Sequence, residues 1–274
     1  MRVVSLVPGT TEALFALGLG AQVAGVTHEC DHPPAARGLP RVTRSNLDLE
    51  GLDGGGIDAS VGSALAEGRP LYSVDLEAIR VLEPDLVVAQ DVCDVCAVSA
   101  DDVRLPGIRV LRQHPHSLED VLRDMAELAS ACGVDGGPLL AGLRRRIAAA
   151  SAAGPRVRGV FLEWLDPPFP AGHWTADLLR LAGIEDPLAT AGRPSAPVTW
   201  DAVREAAPEI LLVAPCGLDE VSARREVERM GERIAGCGAR RIAVFDGSAY
   251  FNRPGPRLVD SLELLVREVA REAR

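Results

Sequence analysis

One stretch of this chain occurs twice. Leu76-Glu-Ala-Ile-Arg-Val-Leu-Glu-Pro84-Asp-Leu-Val-Val-Ala-Gln90 matches Trp200-Asp-Ala-Val-Arg-Glu-Ala-Ala-Pro208-Glu-Ile-Leu-Leu-Val-Ala214 almost position for position. In each copy a helical stretch meets a proline and an acidic residue, then an unbroken apolar run. Proline cannot continue the helix, and a run that is apolar throughout suits a parallel strand covered on both faces. A weaker match extends the repeat. Arg2-Val-Val-Ser-Leu-Val7 leads into a helix over Thr11–Gly18, as Val157-Arg-Gly-Val-Phe-Leu162 leads into a helix over Thr175–Gly183. Strands alternating with helices in both halves predict parallel sheets with right-handed crossovers, one sheet per half. The expectation is an α/β protein of two similar Rossmann-like lobes.

Between the halves, Ser117-Leu-Glu-Asp120 has the form of a capping box, with an acid three residues after the serine. The helical pattern runs from there to about Cys132, breaks at Gly133 and Gly136-Gly137-Pro138, and resumes from Leu139 to Ala153. The second piece reads as a long connector helix, and Gly154-Pro155 as the start of the second lobe. The expected division is therefore 1–116 for the first α/β lobe, 117–154 for the helical connector and 155–274 for the second lobe. Arg144-Arg145-Arg146 on the connector reads as a solvated helix face. Asn46 to Gly56, rich in Asp and Gly and without a clear period, reads as a loop.

Composition narrows the partners. The 274 residues are 47% hydrophobic and 25% charged with a net charge of −10, which speaks against a nucleic-acid or anionic-membrane binder. All the basic residues are arginine, so a catalytic lysine is excluded. No apolar run approaches the length of a bilayer span, so no membrane insertion is expected. The apolar stretch at Val3–Val7 is too short for a signal-peptide core and reads as a first strand. As written the chain is expected to be cytoplasmic; as the trimmed mature form of an exported protein it would be periplasmic or otherwise extracytoplasmic.

In parallel α/β sheets, ligands gather beyond the carboxyl ends of the strands. The residues there are few and chemically distinctive. They are Thr27-His28-Glu29-Cys30-Asp31-His32, Gln90-Asp91-Val92-Cys93-Asp94-Val95-Cys96, Glu163-Trp164-Leu165-Asp166, Gly172-His173-Trp174, Pro215-Cys216-Gly217 and Tyr250-Phe251-Asn252-Arg253-Pro254-Gly255-Pro256-Arg257. Four of the six cysteines lie on these exits, and the repeat sets Cys93 and Cys216 at nearly equivalent positions. Three accounts stay open. Cys30, Cys93, Cys96 and Cys216 could ligate zinc or an iron–sulfur cluster, with His28 and His173 nearby; Cys93 and Cys96 could form a disulfide or redox pair; or the thiols are buried and inert. Cys132 and Cys237, each just before a glycine at a helix end, read as structural. Trp164, Trp174 and Tyr250 share the rim and suit a flat ligand, or fill the lobe interface. Arg253 reads as a partner for ligand carboxylates and Arg257 as a partner for a nearby acid. A cytoplasmic metalloprotein, with enzymatic activity a further option, is the alternative to a binder.

The opening Arg2-Val-Val-Ser-Leu-Val-Pro8-Gly-Thr-Thr-Glu12, with Leu14-Phe-Ala-Leu-Gly18, Val26 and Pro84-Asp85-Leu86, resembles the ABC-transporter solute-binding proteins that carry cobalamin and iron–siderophore complexes. The likeness spans the whole chain. His28-Glu-Cys-Asp31, Cys93-Asp-Val-Cys-Ala97, Glu163-Trp-Leu-Asp-Pro167, Gly172-His-Trp174, Pro215-Cys-Gly217 and Tyr250 to Arg257 are similar to a cobalamin-binding subgroup that often lacks an export signal. The resemblance implies two α/β lobes bridged by one long helix, a corrinoid or other metal complex held between them, and a membrane permease as partner. On that reading Trp164 and Trp174 stack on the ligand, His28 and His173 give polar or axial contacts, and Glu29, Tyr250, Asn252 and Arg253 complete the site.

Overall fold

The computed structural model describes residues 1–92, 103, 106–151 and 156–272. In its first half the elements are β1 (Val3–Ser5), α1 (Pro8–Ala16), β2 (Val23–Val26), β3 (Thr43–Ser45), α2 (Gly54–Ala66), β4 (Tyr72–Val74), α3 (Leu76–Val81), β5 (Leu86–Gln90), β6 (Arg109–Gln113), α4 (Leu118–Ala131) and α5 (Gly137–Ser151). The second half runs β7 (Val157–Leu165), β8 (Pro168–Pro170), α6 (His173–Ala182), β9 (Ile184–Glu185), α7 (Trp200–Glu205), β10 (Ile210–Val213), α8 (Glu220–Arg229), α9 (Gly231–Gly236), β11 (Arg241–Val244), α10 (Gly247–Tyr250) and α11 (Leu258–Glu272).

The strand order in the first lobe is β2-β1-β5-β6, and in the second β8-β7-β10-β11, with β9 pairing beside β8 on the same edge of β7. The duplicated segments thus take matching places: β1 corresponds to β7, β5 to β10 and β6 to β11. All these central pairings are parallel; the β7–β8 hairpin at the edge runs antiparallel, as does the separate two-stranded β3–β4 pair. The repeat survives in detail. Asp75 caps α3 by accepting from the Ala78 amide at 2.8 Å, and Thr199 caps α7 by accepting from the Ala202 amide at 3.1 Å. Ahead of Pro84 and Pro208, Glu83 (φ 44°) and Ala207 (φ 47°) both turn left-handed, so the chain reverses out of each helix within one residue.

Both faces of each sheet are covered, as the unbroken apolar runs require. In β5, Leu86 and Val88 face one core while Val87 and Ala89 face another; in β10, Ile210 and Leu212 face one and Leu211 and Val213 another. The inner faces belong to one continuous core, which runs from Val3 and Leu14 through Leu122, Met125 and Leu128 of α4 and Leu143 of α5 to Leu178 and Leu262. The segment between the sheets is therefore a pair of helices packed between the lobes, α4 along a buried stripe and α5 chiefly through Leu143. α4 packs on α1, α5 and α6, and α11 packs on α5 and α6. The expected capping box is present at Ser117 and Asp120, and α4 shows its buried stripe at Leu118, Val121, Leu122, Met125 and Leu128. Arg144 pairs with Glu119 and Arg146 with Asp260 and Glu263, so these arginines tie the connector to its neighbours.

Two expectations change. Helix α1 begins at Pro8, in the first turn where a missing amide costs nothing. The loop expected over Asn46–Gly56 ends early, because Asp53 caps α2 by accepting from the Gly56 amide at 2.8 Å and Gly54, Gly55 and Gly56 form the first helical turn.

Candidate functional site

The strand exits of the two lobes meet across a seam. At one end, α1 crosses the Pro254–Pro256 segment at van der Waals contact. A side chain on Gly9 would overlap the Pro254 carbonyl, and a Cβ on Gly255 would lie 2.8 Å from the Gly9 oxygen. Beside this crossing, Arg257 donates two bonds to Glu12, at 2.9 and 2.6 Å, with Glu12 only 3% exposed. Arg253, 7% exposed, bonds the Asp31 carboxylate, the Glu29 carbonyl at 3.1 Å and Ser248 Oγ at 3.2 Å, and lies 3.7 Å from Glu12. Burial acts to raise the Asp31 carboxyl, but the hydrogen bond and charge of Arg253, aided by Arg257, hold it below its ordinary value.

Next along the seam lies a cavity of about 250 Å³, lined by Asp31 from the first lobe and Gly217, Leu218, Asp219, Ser222, Asp246 and Ser248 from the second. Asp219 and Asp246 each cap a helix, accepting from the Ser222 amide at 2.8 Å and the Ala249 amide at 2.6 Å. The bond from Ser222 holds the Asp219 carboxyl low; burial, then the Asp219 charge, pushes Asp246 up. Among the described residues neither has an arginine within 4 Å, whereas Asp31 and Glu12 are matched by Arg253 and Arg257. The cavity is thus net acidic. Beyond Leu218, the Trp164 indole Nε1 donates to the Gly54 carbonyl at 3.2 Å, so the half-buried ring closes the far end of the seam.

At the floor, three imidazoles form a row between the lobes. His116 Nδ1 is 3.4 Å from His173 Nδ1, and His116 Nε2 is 2.7 Å from His114 Nε2. Burial, and then the proximity of His116 and His114, pushes His173 down to about 4. The expected residue His173 is therefore part of a cluster whose other two members the sequence reading missed. His114-Pro115-His116 follows β6 directly, so the strand-exit rule applied to that strand would have found them. Glu163 differs: the sequence places it on a strand exit without giving it a role. It is the residue after Leu162 on β7, burial raises its carboxyl, and it accepts from Ser195 Oγ and the Gly172 amide.

Other expected residues lie elsewhere. Trp174 is 8% exposed and donates from Nε1 to the Phe251 carbonyl at 2.8 Å, which makes it an interior packing residue. Tyr250 is half-buried beneath Arg257, whose guanidinium carbon is 5.8 Å from the ring centre. Asn252 beside it has a buried Nδ2 with no hydrogen-bond partner among the described residues. His28 sits within the first lobe: its Nδ1 is 2.7 Å from Thr43 Oγ1, its Nε2 is 3.4 Å from Glu29, and burial lowers its pKa first, then Arg41 against the opposing charge of Glu29. Glu29 reaches the seam through its carbonyl alone.

The cysteines do not gather. Cys30 is 1% exposed in the first lobe's core, its sulfur 3.1 Å from Thr11 Oγ1 and 3.2 Å from Thr27 Oγ1. Cys216 is half-buried in the second lobe, its amide donating to the Glu163 carbonyl at 2.9 Å. Cys93 and Cys96 lie outside the described residues. Among the described residues, no three His, Cys, Asp or Glu side chains are arranged to hold a metal ion. The reading of a zinc or iron–sulfur centre therefore loses its ligand set at Cys30, whose thiol points among threonines and apolar side chains. Cys132 and Cys237 cap α4 and α9 ahead of left-handed Gly133 and Gly238, and burial raises both thiols, as a structural role requires.

Two duplicated α/β lobes, a buried helical bridge and a polar cavity along their seam define a two-lobed solute-binding architecture. The family described as Periplasmic binding protein matches residues 3–231, and the chain belongs to it. A vitamin B12-binding protein of Photorhabdus laumondii is 23% identical over 98% of this chain and 88% of its own length. Among solved structures, the periplasmic vitamin B12-binding protein BtuF of Vibrio cholerae superposes with a TM-score of 0.68 at 18% identity, covering 100% of this chain and 98% of that one. The periplasmic heme-binding protein RhuT from Roseiflexus sp. RS-1 gives 0.73 at 23% identity, covering 100% and 99%. These superpositions establish the fold.

Proposed function

We propose that the chain is the solute-binding component of an ABC importer, working outside the cytoplasmic membrane with a permease partner and holding a corrinoid between its lobes. The extracytoplasmic location follows the relatives and replaces the cytoplasmic expectation. The relatives are named for two tetrapyrrole-like ligands, vitamin B12 and heme. One observation favours the first: the seam cavity carries Asp219 and Asp246, which among the described residues have no arginine within 4 Å, together with Ser222 and Ser248. Acceptors of this kind suit the amide N–H groups around a corrinoid, while the two carboxylates of heme meet like charge there. Trp164, next to Leu218 at the far end of the seam, supplies a flat apolar surface.

The test is a thermal-shift and absorbance titration with dicyanocobinamide, cyanocobalamin and hemin. A ligand at a hundredfold its Kd adds about 2.7 kcal/mol, which for a chain of this size raises Tm by roughly 5–10 °C. A corrinoid is expected to give that shift and hemin less, with Asp219→Asn and Asp246→Asn narrowing the difference. No shift with either corrinoid, or a larger one with hemin, rules the assignment out.

A further inference from the structure

Gly54-Gly55-Gly56 places three glycines in the first turn of α2, a composition that weakens a helix relative to alanine. Two of them, Gly54 and Gly55, face the other lobe. A Cβ on Gly54 would stand 2.7 Å from Glu226 Oε2, and one on Gly55 would stand 3.0 Å from Asp166 Oδ2. The contact is made through backbone: the Gly54 amide donates to Glu226 Oε2 at 3.1 Å while its carbonyl accepts from Trp164 Nε1 at 3.2 Å. Arg229 joins the acids, 2.8 Å from Glu226, 3.2 Å from Asp166 and 3.7 Å from Asp53. The negative side chains of the second lobe thus meet the positive end of a first-lobe helix.

The two ends of the seam differ in kind. At the Gly54 end Asp53 and Asp166 are 53% and 38% exposed and Arg229 30%, with Glu226 alone among these four buried to 13%, and pairs this open to water hold weakly. At the Gly9–Gly255 end the obstructing atoms are backbone, and Glu12 and Arg257 are paired away from solvent, where losing a partner is costly. Leu218 borders both the seam cavity and the Gly54 contact, so the weak end adjoins the space a ligand would use.

We propose that the tri-glycine start of α2 is the gate of the cleft, docking on Trp164, Asp166 and Glu226, and that the lobes part there while the Gly9–Gly255 crossing acts as pivot. The gate regulates access to the cleft of the proposed binder, yet its test needs no ligand, so a failure to bind corrinoid leaves it standing. The atoms that oppose a methyl at Gly54 and Gly55 are tips of flexible side chains, so alanine there displaces Glu226 and Asp166 and spares the backbone. The experiment compares the wild-type chain with a Gly54→Ala/Gly55→Ala double variant and, as a second probe that adds no bulk, Glu226→Gln. Hydrogen exchange followed by mass spectrometry and acrylamide quenching of Trp164, taken by difference from Trp164→Phe, are the readouts. Exchange in the first turn of α2 is expected to quicken about tenfold and Trp164 quenching to rise about twofold, with exchange over Gly9–Ala16 and Leu258–Leu262 unchanged. Loosening of both ends together removes the pivot, and no change at either end removes the gate.

Discussion

At the residue scale, the seam rests on charges that burial makes costly to unpair. Glu12→Gln leaves Arg257 with a neutral partner at a site only 15% exposed. The expected loss is about 2–3 kcal/mol in urea denaturation, below the 3–5 of a fully buried pair because Arg257 keeps some solvent; a loss under 0.5 kcal/mol would show that Asp31, whose charge also acts on Arg257, takes over the role. His173 gives a pH dependence whose sign can be worked out. In the folded chain it stays neutral down to about pH 4, against an ordinary 6.5 in the unfolded chain. The unfolded state therefore binds more protons in between, so this contribution to stability is whole above pH 6.5 and is lost as pH falls toward 4. Asp124 and Asp186, both raised by burial to about 6, act in the opposite sense over part of that range. The comparison must accordingly be wild type against His173→Gln. The wild type is expected to lose roughly 1–2 kcal/mol relative to the variant between pH 7 and 4.5, a value discounted for the ring's partial exposure; parallel pH profiles would contradict it. Sequence reasoning identified Arg257 as an acid's partner and His173 as a rim residue, but it misjudged Cys30. Position after a strand tells which loop a residue occupies, whereas the turn from Thr27 to Cys30 decides that the thiol faces inward.

At the scale of single elements, the duplication is a physical statement about caps and stops. Helices α3 and α7 are short, buried on one face, and begin at Asp75 and Thr199. Replacing either cap by alanine is expected to cost about 1 kcal/mol in urea denaturation, and the two costs should agree within a few tenths if the copies are equivalent in energy as well as in shape. The repeat was legible because proline, acid and apolar run recur at fixed spacing, and both strands fall in the centre of their sheets. Helix α2 was less legible. Its glycine start reads as a loop when local propensity alone is weighed, and only the approach of Glu226 and Asp166 from the other lobe explains the choice.

At the scale of the whole molecule, the cavity of about 250 Å³ lies below the roughly 300–1,000 Å³ typical of sites for small organic ligands, and a corrinoid is larger than most of these. Binding dicyanocobinamide is therefore expected to increase the separation of the lobes, seen as a rise of the radius of gyration in small-angle X-ray scattering; an unchanged or smaller radius would place the ligand elsewhere. Two lobes and a cleft could be read from the repeat, because duplicated units expose equivalent strand exits. The width of the cleft could not, since it depends on side chains meeting from distant parts of the chain, such as Trp164 with Gly54 and Arg253 with Asp31.

The single core that passes through α4 and α5 also fixes an order of events during synthesis. When the first lobe leaves the ribosome, the apolar stripe of α4 has β6, α1 and then α5 to cover it, but not α6 or α11, which come later in the chain. The amino-terminal half is thus born with part of its interior facing water. It reaches its final packing only after the carboxyl-terminal helix has emerged and closed over α5 and α6.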